Sequence, residues 1–82
     1  MTTLATQTRF QVEDQAKAKG WSLIAWMTAP SGEIVTFCNV GGHQPFATHK
    51  FSSIDGGFYH GNYHAMEMEG RHDFYKRAAI AY

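Results

Sequence analysis

The sequence predicts an α+β domain, and three observations carry that expectation. Helical segments sit at the two ends, one closing at Gly20 and one opening at Met66. Between them lie four short runs rich in aromatic and β-branched residues. Turn signals separate the runs: Pro30-Ser31-Gly32, Gly41-Gly42 and Asp55-Gly56. The expected architecture is a small two-layer domain with an N-terminal helix, a four-stranded antiparallel β-meander and a C-terminal helix. Its 82 residues form one domain, 1–82, close to the size at which a single core is only just adequate.

Residues 1–7 are small and polar with one leucine, and read as a flexible arm. The first helix is expected from Thr8 to Lys19. Thr8 and Gln11 have capping-box spacing, Glu13 and Asp14 fall in the early turns, and Lys17 and Lys19 fall in the last. Gly20 supplies the stop. Val12 and Ala16 give a thin apolar stripe, and a short strand through Phe10 and Val12 competes with this reading.

Trp21–Thr28 is the strongest strand candidate, apolar on both sides, with Trp21, Leu23, Ala25 and Met27 opposite Ile24 and Trp26. It turns through Ala29–Gly32 into Glu33–Val40. Pro45 suits the first position of the next strand, since it cannot donate to a ladder. The third and fourth strands are expected over Phe46–Ser52 and Phe58–Tyr63. In the last helix Gly70, Phe74, Ala78 and Ala81 share one face, with Tyr75, Ala79 and Tyr82 beside it. A glycine there costs about 1 kcal/mol against alanine, so Gly70 implies a close approach to the sheet or a kink.

Two helices on one face of the sheet would leave the other face bare, and the candidate site follows from that layout. With Asp55-Gly56 as a two-residue type I′ turn, Phe51 lies opposite His60, His49 opposite Asn62 and Ser52 opposite Tyr59. Alternation then gathers His49, Phe51, Phe58, His60, Asn62 and His64 on one face, assigned to a partner. Phe46, Thr48, Lys50, Tyr59, Gly61 and Tyr63 go to the helices. A three-residue turn using Gly57 would reshuffle these pairs.

Composition bounds the chemistry. Seven basic residues balance seven acidic ones, which disfavours a phosphate-backbone binder, and the aromatic–glycine pattern of an RNA-recognition sheet is absent. Cys38 is the single cysteine, so no intrachain disulfide forms and a reducing compartment is expected. In mid-strand it reads as a buried, inert thiol. No apolar run approaches membrane-spanning length and the N-terminus lacks signal-peptide features, so a cytoplasmic protein is expected. His60 and His64 have zinc-like i, i+4 spacing. In a strand they stand roughly 13 Å apart, too far to converge on one ion. Ser52, Ser53, Asp55 and His60 include triad residue types that turn chemistry explains. No metal, cofactor or catalytic residue is therefore assigned.

Protein binding accounts for the candidate face with the fewest assumptions, either to a separate partner or to a second copy as a homodimer. Histidine protonation should weaken such a contact below about pH 6. The expected function is a small non-catalytic binding module. Its leading job is that of a phage or mobile-element accessory protein, a stoichiometric inhibitor of a host defence complex in the manner of anti-CRISPR proteins. The alternative is a small zinc- or nucleic-acid-binding regulator.

Overall fold

The computed structural model describes residues 4–80, with side chains from Phe10 to Ala79. Six elements follow in order: α1 (Leu4–Ala18), β1 (Ser22–Thr28), β2 (Ile34–Asn39), β3 (Phe46–Phe51), β4 (Phe58–His64) and α2 (Glu67–Ile80). The strands form one open sheet in the order β1-β2-β3-β4, each pair antiparallel. This is the expected α+β meander flanked by helices.

Local chemistry explains the joints. Gly20 closes α1 at φ +77°. The Gly20 N–H bonds the Lys17 carbonyl at 2.9 Å and the Trp21 N–H bonds the Ala16 carbonyl at 2.9 Å. That pair of bonds is a Schellman cap, whose left-handed position favours glycine. At the β1–β2 turn the Ala29 N–H bonds the Glu33 carbonyl and the Gly32 N–H bonds the Ala29 carbonyl, with Gly32 at φ +92°. Helix α1 starts earlier than Thr8. Leu4–Gln7 are its first residues, Thr8 lies inside it, and only residues 1–3 of the expected arm fall outside the described residues.

Helix α2 packs on β2, β3 and β4. Its face carries Gly70, Phe74 and Ala78, as the periodicity predicts; Ala81 and Tyr82 lie outside the described residues. Against that face lie Val35, Phe37 and Phe46, with Ala25 at the margin. A Cβ on Gly70 would stand 2.7 Å from Phe37 Cε1 and 3.0 Å from Phe46 Cβ, so the close approach read from the sequence is present.

The reading that puts both helices on one face is corrected. Thr36, Cys38, Ala47, His49 and Phe51 alternate with the residues beneath α2, so they point to the opposite side, yet each is at most 3% exposed. Helix α1 covers them. Gln11 Nε2 reaches the Ser53 carbonyl at the end of the β3–β4 hairpin, and Trp21, just past the helix, stacks on His49. Val12 and Ala16 are buried in that contact. The physical reason lies in β2 and β3. Val35–Cys38 and Ala47–His49 are buried on consecutive residues, the pattern of strands covered on both sides.

Strand β1 also departs from simple alternation. A bulge between Leu23 and Ala25 puts Leu23 opposite Cys38 and Ala25 opposite Phe37, so those two face opposite sides.

Candidate functional site: the β3–β4 hairpin

The hairpin register differs from the two-residue turn. Phe51 pairs with Phe58, Lys50 with Tyr59, Thr48 with Asn62, Ala47 with Tyr63 and Phe46 with His64. Ser52 N–H bonds the Gly57 carbonyl and Gly56 N–H bonds the Ser52 carbonyl, each at 2.9 Å, so Ser53–Gly56 form the loop. A bulge opposite His49 absorbs one residue, with His60 at φ 54°. Beyond that point every residue of β4 changes side relative to the expected pairing.

The six expected partner-binding residues therefore divide. His49, Phe51 and Phe58 gather beneath α1. The His49 imidazole stacks on Trp21 at 5.1 Å between centroids and 17° between planes, with Phe58 and Tyr63 edge-on at 5.6 and 5.5 Å. Phe51 meets Phe58 at 5.1 Å. His49 Nε2 shares a hydrogen bond with the Tyr63 hydroxyl at 3.1 Å, while Nδ1 is buried with no partner among the described residues. Burial, reinforced by the Arg77 and Lys19 charges, pushes the His49 pKa down from 6.5 to about 4. This ring is therefore neutral at neutral pH, and the surface expected for a partner is instead an aromatic core.

Asn62 and His64 lie on the α2 side. Asp73 Oδ2 accepts from the Thr48 hydroxyl at 2.6 Å and Asn62 Nδ2 at 3.2 Å, and lies 3.3 Å from His64 Nε2. Arg77 donates to the Thr48 carbonyl and hydroxyl at 3.2 and 3.0 Å. Burial raises the Asp73 pKa, but the hydrogen bonds from Thr48, Asn62 and His64 outweigh it and the net shift is downward. This network clamps β4 to α2. Beside it a groove of about 710 Å³ runs past Tyr63, His64, Met68 and His72.

Of the six, His60 and Asn62 are exposed, and His60 is held at the bulge in the left-handed region where only a few per cent of non-glycine residues sit. Gly61 beside it passes so close to His49 that a Cβ would stand 2.6 Å from Nε2. His60 and His64 do not converge. Among the described residues no three His, Cys, Asp or Glu side chains cluster as metal ligands. Burial pushes the Cys38 thiol up to about 11, against a small opposing effect of the Thr36 hydrogen bond.

The exposed chemistry concentrates at the loop. Ile54 at its tip is 96% exposed. The turn around it is braced from several directions: Ile54 N–H to Ser52 Oγ at 3.3 Å, Gly57 N–H to Asp55 Oδ1 at 2.9 Å, and the Tyr59 hydroxyl to Asp55 Oδ2. The Tyr59 and Gly57 donors hold the Asp55 carboxyl below its usual range, leaving a carboxylate next to Ile54. From α1, Gln11 bonds Ser53 at 2.9 Å and Gln15 packs under Gly56, which is at φ +72°. Ile54 also borders a cavity of about 330 Å³ shared with Ile34, Lys50, Phe51 and Tyr59. Ile54 lies outside the six residues that strand alternation selects. The available signal was a β-branched apolar residue within Ser-Ser-Ile-Asp-Gly-Gly, where polar residues satisfy a turn better.

No family model, no curated protein and no solved structure matches this chain. No helix among the described residues is long and apolar enough to cross a membrane.

Proposed function

We propose that this chain is a small non-catalytic protein-binding module, docking stoichiometrically through the tip and outer strand of the β3–β4 hairpin onto a larger protein. Ile54 carries the reading: a fully solvent-facing β-branched side chain on a loop braced by its own side chains and by α1. Such an anchor is ordered before it binds, so docking costs little of the loop and rotamer entropy that weakens flexible contacts. Tyr59 and His60 extend the contact along the exposed edge, and His49, Phe51 and Phe58 support it from beneath.

The narrower job is inhibition of a host defence complex in the cytoplasm by a phage or mobile-element accessory protein, in the manner of anti-CRISPR proteins. Such an inhibitor needs a rigid contact surface rather than a reaction centre, and 82 residues suffice for that. Zero formal net charge favours a protein partner over a phosphate backbone.

The test is target-DNA binding by purified CRISPR effector complexes with the protein added at increasing molar ratio. The expected result is loss of DNA binding at a fixed low stoichiometry for one complex. Ile54→Ser should lose that effect with its melting temperature unchanged. Equal inhibition by wild type and Ile54→Ser would remove the tip from the contact. Full DNA binding by every complex tested would remove the inhibitor role.

A further inference from the structure

We propose that β1 is a self-association edge, on which a second copy of this chain adds antiparallel about a two-fold axis to make a continuous eight-stranded sheet. The inference is independent of the hairpin contact. Strand β1 is an outer strand of the sheet. Ala29 N–H is tied inward to the Glu33 carbonyl at 2.7 Å. Alternation along an antiparallel ladder then turns the N–H and C=O of Trp26 and Thr28 outward, away from β2.

Edges are ordinarily blunted by charged side chains or proline. Ser22–Thr28, SLIAWMT, has neither. The bulge before Ala25 confines regular pairing to the second half of the strand. An axis through Trp26 places Trp26 beside its own copy, Ala25 beside Met27 of the second copy, and Ile24 beside Thr28. Paired residues then share a face, and the smallest side chain meets the longest one exposed there. Met27 is 42% exposed and Ile24 37%, so both have area to bury. A two-fold axis also sets like charges against each other, which only an uncharged strand tolerates without repulsion. Strand β4, the other edge, has His60 in left-handed geometry and cannot present an equally extended ladder.

One strand pair is a small interface, so association should be weak and dependent on concentration. Sedimentation equilibrium of the full chain from micromolar to millimolar concentration tests it. The mass is expected to rise from that of one chain toward twice that value. Met27→Lys, which places a charge at an exposed site beside the axis, and Thr28→Pro, which removes an outward N–H, should both remain monomeric. Ile54→Ser should associate like wild type. A wild type that stays monomeric at millimolar concentration overturns the proposal. So does association retained in either edge variant or lost in Ile54→Ser.

Discussion

Acidification should destabilise this protein through His49 before its carboxylates matter. The unfolded chain binds a proton there near pH 6.5, whereas the folded chain resists until about pH 4. Above pH 6.5 both states are neutral at this site and it adds no pH dependence. As pH falls from 6.5 to about 4 the unfolded state gains the proton alone and stability drains away; below about 4 both states are protonated and the loss levels off. Each pH unit inside that window costs about 1.4 kcal/mol, so the whole window costs roughly 3 kcal/mol. His49 is only 3% exposed, so solvent screening reduces that figure little. A loss of roughly 3 kcal/mol lowers the melting temperature of a domain this size by on the order of 15 °C.

The groups around His49 cannot relieve the charge. Trp21 and Phe58 offer rings, Tyr63 offers one hydroxyl, Nδ1 has no acceptor among the described residues, and the Arg77 and Lys19 charges repel a further cation. Asp73 on α2 bonds Thr48, Asn62 and His64 on the other face of the sheet. Its depressed pKa removes stability only below about pH 4, the ordinary carboxylate value, so the two windows are separable. Thermal melts between pH 4 and 7 should show the fall, with the His49 ring proton titrating near 4 by NMR. His49→Leu should flatten the curve across that window. A His49 that titrates at 6.5, or a slope unchanged in His49→Leu, would refute the reasoning.

Three further outcomes follow from the packing. Gly70→Ala gains about 1 kcal/mol of helix propensity. It also drives a methyl into Phe37, whose ring is fixed between Phe46 and Phe74. Overpacking of that kind costs about 1–3 kcal/mol, so urea denaturation should show a net loss. Asp73→Ala should cost about 2 kcal/mol in the same assay by stripping the acceptor from the buried Thr48 hydroxyl. Cys38, buried and with its pKa raised to about 11, should react with a thiol reagent only as fast as the protein opens. Labelling as fast as that of a free thiol would contradict its burial.

The order of elements was legible because the end segments keep helical spacing and the four middle runs are short and bounded by turn residues. Gly20 and Gly70 were legible as a stop and a close approach because glycine in each place has a local cause. The site was much less legible. Asp55-Gly56 looks like a two-residue turn, yet Asp55 serves as an acceptor for Gly57 and Tyr59 within a four-residue loop. The loop alone keeps the expected faces, but the bulge at His60 moves Asn62 and His64 to the other face, an outcome no local propensity encodes. Both helices are expected on one face because a two-layer arrangement already buries one aromatic side of the sheet. The clue lay in β2, where Ile34–Cys38 is apolar on both sides apart from one threonine and requires two covers.

Once α1 and α2 are on opposite faces, the hairpin's division of labour has a single cause. Helix α1 and the residue that follows its cap touch it twice: Trp21 stacks on His49, while Gln11 and Gln15 hold the Ser53–Gly56 loop at its end. The base is therefore part of the core, and the loop is tied to the helix through Gln11 and Gln15. An exposed Ile54 on a free loop would spend entropy on docking; on this loop that ordering has been done by folding. The same coupling makes His49 matter to the surface. Weakening the base of the hairpin by a proton on His49 also weakens the frame that presents Ile54, so acid should act on the tip through the core beneath it.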